Sequence, residues 1–237
     1  MPQTLEHVLN NRCNMSMKYR ILLDKDSVVY DLATPWYAMH NAEYPDHILH
    51  VRDVDTWHTD EICKRVECPA DIYKYFLYPE VWTLGKVLGN SNHITQRWMQ
   101  DYAIELGFVT TVANPLAAQH SWNWLQKHFP HVPSICMVTT HIKSWIQGDI
   151  LIDDGVHNLE HFSGIRILYT QPWNIYAQHD YISVFGSTDD EKWKYLDILV
   201  IECVRLLSLG YTHQEIMTMI LTHQRTLRET KDSMNDR

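Results

Sequence analysis

Two pairs of carboxylates follow short apolar segments of this chain, an arrangement that suits metal-assisted chemistry. Asp24 and Asp26 come directly after the segment Tyr19–Leu23, and Asp153 and Asp154 follow a second apolar segment. In open α/β sheets, ligands bind beyond the carboxyl ends of the strands. Mg²⁺ takes oxygen ligands, usually one or two protein carboxylates together with substrate phosphate. The two pairs therefore predict a magnesium site at one edge of a parallel sheet.

The elements that position these acids are predicted from apolar segments that alternate with helical ones. Five segments are predicted to be parallel strands, at residues 19–23, 108–111, 135–138, 150–152 and 166–169. Between two of them, residues 121–129 have helical spacing, with Trp122, Leu125 and Phe129 on one face. This alternation predicts a doubly wound, Rossmann-type α/β fold with a parallel sheet.

Residues 36–100 interrupt the alternation between the first and second strands. The segment is rich in aromatic residues and mostly helical in pattern, and a structureless connection of that length is uncommon in a compact domain. We therefore expect an inserted helical cap over the carboxylate-bearing edge. The catalytic core is expected at residues 17–35 and 101–186.

Residues 187–237 are predicted to form a C-terminal helical extension. One helix begins after a cap at Ser187 or Thr188 and ends before Gly210, and a second helix covers about 212–230. The start of the second helix resembles that of a helix-turn-helix module, but the Met-rich stretch that follows lacks a basic recognition face. A hairpin for packing or for assembly of a homo-oligomer is the favoured interpretation.

Composition restricts the classes of partner. The chain has 237 residues and a net charge of −9, which argues against polymeric nucleic acid because its binding needs a basic face. A small phosphate ester stays compatible, since Mg²⁺ and one lysine can supply positive charge locally. No apolar stretch reaches the roughly 18–20 residues of a membrane helix. The irregularly spaced cysteines and the polar first residues favour a cytoplasmic protein with reduced thiols.

The segment 143–159 carries the most specific motif. Lys143 precedes Asp153 by ten residues, and the run 153–159 reads Asp-Asp-Gly-Val-His-Asn-Leu. Together with Asp24 and Asp26, this motif resembles the haloacid dehalogenase superfamily of phosphohydrolases, and within it the 5′(3′)-deoxyribonucleotidase family. The resemblance covers roughly residues 19–174 and leaves the C-terminal helices outside.

The resemblance implies a role for each acid. Asp24 would attack phosphorus and become an aspartyl phosphate. Asp26 would protonate the departing nucleoside oxygen and then take a proton from the hydrolytic water. Mg²⁺ would be held by the Asp24 carboxylate, the Asp26 backbone carbonyl and Asp153, with Asp154 as a direct or water-mediated ligand. The residues alone leave the alternative that both pairs only form turns after strands.

Two further positions match the family pattern. Thr111 matches the phosphate-binding hydroxyl, with Thr110 as the neighbouring alternative. Lys143 matches the lysine that neutralises phosphate and steadies the nucleophile. A threonine in a strand and a single lysine are ordinary on their own, so the assignment of Lys143 depends on its spacing to Asp153.

Selection of the substrate is assigned to the cap. A nucleobase stacks favourably on aromatic side chains. The first candidates are Trp57, Phe76 and Trp82, followed by Tyr30, Trp36 and Tyr78. The alternative is that these aromatics form the core of the cap itself. Asn114 is expected either to orient a nucleotide edge or to start the next helix.

Two positions depart from the family pattern, which is commonly Asp-Met-Asp-Gly-Val where residues 24–28 read Asp-Lys-Asp-Ser-Val. Ser27 replaces a glycine, and glycine allows backbone conformations that serine adopts less readily. Lys25 places a positive charge between the two acids, and strand alternation predicts that it points away from them.

These inferences predict a Mg²⁺-dependent phosphatase of (deoxy)ribonucleoside 5′-monophosphates, with pyrimidine deoxynucleotides favoured. Two alternatives stay open at this point. One keeps the chemistry but acts on another small phosphate ester, and the other is a non-catalytic binding protein on the same fold.

Overall fold

The computed structural model describes residues 19–68, 71–102, 104–133 and 136–235, with side chains up to residue 230. Within these residues, six strands form one sheet, and every neighbouring pair is parallel. The strands are β1 (Tyr19–Leu23), β2 (Ile104–Thr110), β3 (Met137–Thr139), β4 (Ile150–Asp153), β5 (Ile165–Tyr169) and β6 (Ile182–Val184). Their order across the sheet is β3-β2-β1-β4-β5-β6, which brings β1 and β4 side by side.

Helices connect the strands and also build the insertion. They are α1 (Ala33–Glu43), α2 (Thr59–Arg65), α3 (Pro79–Thr83), α4 (Ser91–Asp101), α5 (Pro115–His128), α6 (Val156–Glu160), α7 (Asp189–Ser208) and α8 (His213–Asn235). Short 3₁₀ segments lie at Val51–Asp53, Ile72–Leu77, Lys143–Trp145 and Pro172–Ala177. A membrane-crossing helix, which would have to be both long and apolar, is absent from the described part of the chain.

Both faces of the sheet are covered, which confirms the predicted doubly wound fold. Along β1, Ile21 and Leu23 pack into the main apolar cluster, whereas Leu22 points to a smaller cluster on the opposite face. Alternate side chains of a strand point to opposite faces. A strand buried on both sides therefore reads as a continuous apolar run, which is how β1 was recognised.

Two strand predictions are corrected by the structure. β2 begins at Ile104, earlier than the predicted residue 108. The prediction began too late because Glu105 and Gly107 interrupt the apolar run, although Leu106 is buried. β6 was not predicted, since a strand of three residues leaves little pattern in a sequence. Residue 135, the predicted start of the third strand, lies outside the described residues.

The C-terminal hairpin forms a helical layer of the core. Of its two predicted roles, packing and assembly of a homo-oligomer, this arrangement corresponds to packing. Trp193 of α7 is fully buried in the main cluster and donates a hydrogen bond from its indole to the carbonyl of Val28 at 3.2 Å. Ile216 of α8 is buried in the same cluster. Of the two predicted caps, Thr188 accepts the hydrogen bond from Glu191 N, at 3.3 Å.

The cap has an apolar cluster of its own. Its buried members run from Ala33 to Trp82, and Ala117 and Trp173 of the core pack against them. Helix α4 falls within the predicted cap range of 36–100 but packs against β2 and α7. Its Trp98 is fully buried in the main cluster, so α4 belongs structurally to the sheet core.

Candidate active site

Asp24 and Asp153 meet at the carboxyl edge of the sheet and share one lysine. The parallel pairing of β1 with β4 continues to Asp24, whose backbone N–H donates to the carbonyl of Ile152 at 2.9 Å. Lys143 Nζ lies 2.8 Å from Asp24 Oδ1 and 2.6 Å from Asp153 Oδ2. The predicted spacing of Lys143 to Asp153 therefore corresponds to a direct contact.

The chain folds tightly around Asp153 and Asp154, which are both buried. Asp153 Oδ1 accepts hydrogen bonds from Gly155 N at 2.8 Å and from Asn158 Nδ2 at 2.9 Å. Asp154 Oδ2 accepts one from the indole of Trp173 at 3.1 Å. These contacts fix both carboxylates relative to Asp24, which a simple surface turn would not require.

Three of the four acids form a cluster that suits a hard cation. Oxygen atoms of Asp24, Asp153 and Asp154 all lie within 4.8 Å of one another. Burial raises the pKa of Asp24 to about 7, although Lys143 opposes that rise. Burial also raises the pKa of Asp154. All the donor atoms of this cluster are carboxylate oxygens, and they bring more negative charge than Lys143 alone can offset. Such a cluster fits a divalent ion such as Mg²⁺.

Lys25 does not point away from the acids, which corrects the prediction from strand alternation. Its Nζ donates to Asp26 Oδ1 at 2.7 Å, and its side chain is fully buried. The extended conformation of β1 ends at Leu23, so alternation no longer applies two residues later. Asp26 Oδ2 lies 3.4 Å from the hydroxyl of Thr110.

Ser27 adopts the left-handed backbone conformation that the family pattern fills with glycine. Its φ is 61°, a region that costs a non-glycine residue roughly 1–2 kcal/mol. Its carbonyl accepts a hydrogen bond from Gln171 Nε2 at 2.6 Å, and its N–H donates to Tyr30 at 2.8 Å. The surrounding contacts thus hold Ser27 in a strained turn directly after Asp26.

The two threonines at the end of β2 have different surroundings. Thr110 is buried and its hydroxyl lies near Asp26, whereas Thr111 is exposed and its hydroxyl donates to the carbonyl of Thr140 at 2.8 Å. Both residues line the same cleft. The neighbouring alternative, Thr110, is therefore the one whose hydroxyl lies beside Asp26.

A cleft of about 510 Å³ separates the acids from the cap. Its floor contains Asp24, Asp26, Lys143 and Asp154, and its cap wall is aromatic. Sites for small molecules have this size and this mixture of apolar walls with few polar groups. The aromatic wall consists of Trp36, Tyr37, Trp57, Tyr73, Phe76 and Trp82.

The stacking candidates from the sequence differ in how available their rings are. Trp57 is 45% exposed and meets His157 edge to face at 4.9 Å. Trp82 is 3% exposed, and its indole donates to the carbonyl of Phe76 at 2.9 Å. The cleft is lined by Trp57, Phe76 and Trp82 and also by the second-rank candidate Trp36. Tyr30 and Tyr78 are not among its lining residues.

Asn114 starts the next helix, which is the second of its two predicted roles. Its Oδ1 accepts a hydrogen bond from Ala117 N at 2.8 Å and so caps α5. Its amide lies 3.4 Å from the carbonyl of Phe76. The helix-starting role is therefore the one that the side-chain contacts of Asn114 support, and orientation of a nucleotide edge stays a prediction.

Several cleft residues escaped the sequence analysis. His157 and Asn158 line the cleft and lie within the motif at residues 143–159, but the sequence analysis gave them no role. That motif was the signal that could have identified them. Trp173 and His141 also line the cleft. Neither of these two has a local pattern that separates it from an ordinary loop residue, because only the fold brings it to the acids.

Comparison with known proteins decides the family. Residues 18–188 match the sequence model of the family described as 5′ nucleotidase, deoxy (Pyrimidine), cytosolic type C protein. The chain belongs to this family. It is a haloacid dehalogenase-type 5′-nucleotidase, and hence a phosphoric monoester hydrolase that acts on nucleotides.

Two relatives illustrate the range of similarity to this nucleotidase. The 5′(3′)-deoxyribonucleotidase of Bacillus subtilis (strain 168) is 35% identical over 159 residues, which cover 67% of this chain and 88% of that protein. A 5′(3′)-deoxyribonucleotidase of Clostridium acetobutylicum is 26% identical over 147 residues, or 62% of this chain and 79% of that one. A haloacid dehalogenase-like hydrolase from Xanthomonas campestris superposes with a TM-score of 0.46 at 11% identity, covering 80% and 97% of the two chains.

Proposed function

We propose that this nucleotidase hydrolyses deoxyribonucleoside 5′-monophosphates, pyrimidine nucleotides above all, in a Mg²⁺-dependent reaction through an aspartyl phosphate on Asp24. The observation that carries the proposal is the position of Asp24. It lies on the floor of an aromatic cleft, 2.8 Å from Lys143 and within reach of Asp153 and Asp154. The relatives named as 5′(3′)-deoxyribonucleotidases support the choice of a deoxyribose substrate.

The contacts of Asp24 support one of its two oxygens as the proposed nucleophile. Lys143 Nζ lies 2.8 Å from Oδ1, and the N–H of Lys25 donates to the same oxygen at 2.8 Å. Oδ2 is therefore the proposed nucleophile. Lys143 offsets the repulsion between this carboxylate and the anionic ester, a preorganised electrostatic contribution that such sites commonly use.

Asp26 is proposed to move the proton in both steps. When Asp24 bonds to phosphorus, the bond to the nucleoside 5′-oxygen breaks, and Asp26 gives that oxygen a proton. A water molecule then attacks phosphorus, Asp26 takes up its proton, and Asp24 leaves as a carboxylate with inorganic phosphate as product. Thr110 lies beside Asp26 and is the proposed hydroxyl donor to the phosphate, with Thr111 as the exposed neighbour.

The acid cluster is proposed to hold the cation. Asp24, Asp153, Asp154 and the Asp26 carbonyl would bind Mg²⁺, which supplies positive charge to the transferring phosphate when it is bound. Lys143 stays in place beside the cluster through its contact with Asp153. The protein side chains alone bring more carboxylates than ammonium groups to this edge, which supports a cation-dependent reaction.

The aromatic wall is the proposed selector of the base. Trp57 has the most exposed ring among the first candidates, with Phe76 and Trp82 deeper in the wall. Stacking of a base on an aromatic side chain contributes about 1–3 kcal/mol and tolerates different bases. Preference for pyrimidines would therefore come from the shape of the cleft and from edge contacts.

Phosphate release from dUMP tests the proposal. The wild type with Mg²⁺ is expected to release phosphate, and EDTA is expected to stop it. Asp24→Asn is expected to abolish turnover, because the amide is a poor nucleophile. Asp149→Asn is the matched control, since Asp149 lies at the opposite end of β4 and its carboxylate accepts a hydrogen bond from Arg20 N at 2.7 Å. Full activity of Asp24→Asn would refute the aspartyl-phosphate mechanism.

A further inference from the structure

Lys25 is enclosed by aromatic rings beneath the cleft. Its side chain is 0% exposed, and its Nζ lies 3.7 Å from the ring centre of Tyr30. The rings of Trp82 and Trp124 are 5.5 and 5.9 Å away. A cation within about 6 Å of an aromatic ring face is attracted by the ring's quadrupole. The ammonium group therefore has a fixed position, unlike a solvated lysine.

This ammonium group distinguishes the two oxygens of Asp26. Lys25 Nζ donates to Oδ1 at 2.7 Å. Since the lysine nitrogen donates to Oδ1, that oxygen is occupied as an acceptor, and Oδ2 is the oxygen of Asp26 that can exchange a proton with the substrate. Oδ2 lies 3.4 Å from the hydroxyl of Thr110, and Asp26 and Thr110 both line the cleft.

We propose that Lys25 is a positioning residue that holds Asp26 with Oδ2 directed to the reacting phosphate. In the first step, the proton on Oδ2 passes to the departing nucleoside oxygen as its bond to phosphorus breaks. In the second step, the proton of the attacking water returns to Oδ2. This inference rests on the proposed function, because it requires that Asp26 serve as acid and base.

A partly buried lysine outside the cleft separates the positioning role of Lys25 from a contribution to stability. Lys192 lies 3.8 Å from Asp189 and 5.4 Å from the ring centre of Tyr169. It therefore repeats the arrangement of a lysine between a carboxylate and a tyrosine ring. Neither Lys192 nor Asp189 lines the cleft, so Lys192 provides a matched control for the chemistry of Lys25.

The test compares two substrates whose leaving groups differ in their need for a proton. A nucleoside 5′-oxygen leaves poorly without protonation, whereas 4-nitrophenyl phosphate releases a stable phenolate. The quantity to compare is kcat/KM, because it reports the steps up to formation of the aspartyl phosphate. Lys25→Met is expected to lower kcat/KM for dUMP by about 10–100-fold, within the contribution of general acid catalysis. For 4-nitrophenyl phosphate, a decrease of less than about 3-fold is expected.

Lys192→Met is expected to leave the ratio of the two kcat/KM values unchanged, even where thermal stability falls. In the background of Asp26→Asn, Lys25→Met is expected to have no further effect on that ratio, because Lys25 acts through Asp26. If Lys25→Met does not fold, Lys25→Arg replaces it. This variant keeps a cationic donor and should keep the wild-type ratio.

The outcomes separate the two proposals. An equal loss on both substrates with Lys25→Met, or an altered ratio with Lys25→Arg, would overturn the positioning role and leave the proposed function standing. Wild-type protein that releases phosphate from neither substrate would overturn both.

Discussion

The sheet edge and the cap above it are built in different ways. At the edge, Asp24, Lys143 and Asp153 are buried and joined by contacts of 2.6–2.8 Å that the neighbouring strands hold in register. On the cap side, the wall consists of aromatic rings, and Trp57, in the loop before α2, is 45% exposed. A buried charged edge suits chemistry common to all substrates, whereas an aromatic wall with an exposed ring suits recognition of one part of the substrate.

The largest effect is expected from removing the C-terminal helices that cover one face of the sheet. Deletion of residues 188–237 would uncover the apolar face on which Trp193 and Ile216 are buried, so we expect loss of cooperative thermal unfolding. The single change Trp193→Ala should cost about 3–5 kcal/mol in the free energy of unfolding. A soluble truncated protein with wild-type turnover would show instead that the hairpin is an accessory.

The next largest effect is expected at the edge itself. Lys143→Met should lower kcat/KM by roughly 10²–10³-fold, the usual cost of removing one preorganised donor. The loss should be similar for dUMP and 4-nitrophenyl phosphate, since Lys143 contacts the acids and no part of a leaving group. Circular dichroism checks that the variant is folded. A loss confined to nucleotides would break the proposed division between edge and cap.

A smaller and selective effect is expected at the cap wall. Trp57→Ala should weaken nucleotide binding by about 1–3 kcal/mol, seen as a higher KM for dUMP with little change for a phosphate ester that lacks a base. Tyr78→Ala is the matched control, because Tyr78 is 48% exposed on the cap but is not among the cleft-lining residues. Equal effects of the two substitutions would remove Trp57 from the selector.

The smallest effect is expected at the turn between edge and cap. Ser27→Gly should relieve the positive φ of 61° and stabilise the protein by up to about 1 kcal/mol, because glycine's greater freedom in the unfolded chain offsets part of the gain. The melting temperature should rise by roughly 2–4 °C per kcal/mol for a domain of this size. Ser163→Gly, at a residue without a positive φ, should lower it. An unchanged or lower melting temperature for Ser27→Gly would argue against strain at this turn.

The parts of the site that the sequence predicted are those with local patterns. β1 and β4 are buried on both faces, so their apolar runs and terminal acids could be recognised, and the spacing of Lys143 matched a known motif. The predicted orientation of Lys25 was wrong because the chain turns sharply after Asp24, and side chains no longer alternate between the two faces of the sheet there. Trp173 and Gln171 were not found, because their contacts with Asp154 and Ser27 join distant parts of the chain.

The boundary of the cap shows a second limit of local pattern. Helix α4 has the same helical and aromatic character as the cap, yet Trp98 packs into the sheet core and its indole donates to Asp197 at 2.8 Å. The sequence places an aromatic helix there, but only packing decides which of the two apolar clusters receives it.

The roles of the aromatic wall and of the cation-dependent edge are tested together by phosphate release with Mg²⁺ across 5′- and 3′-nucleoside monophosphates and common sugar phosphates. The highest kcat/KM is expected for pyrimidine deoxyribonucleoside 5′-monophosphates, and EDTA is expected to abolish release. Sugar phosphates hydrolysed as fast as dUMP or dTMP would contradict the role of the aromatic wall, and release that persists in EDTA would contradict the cation-dependent edge.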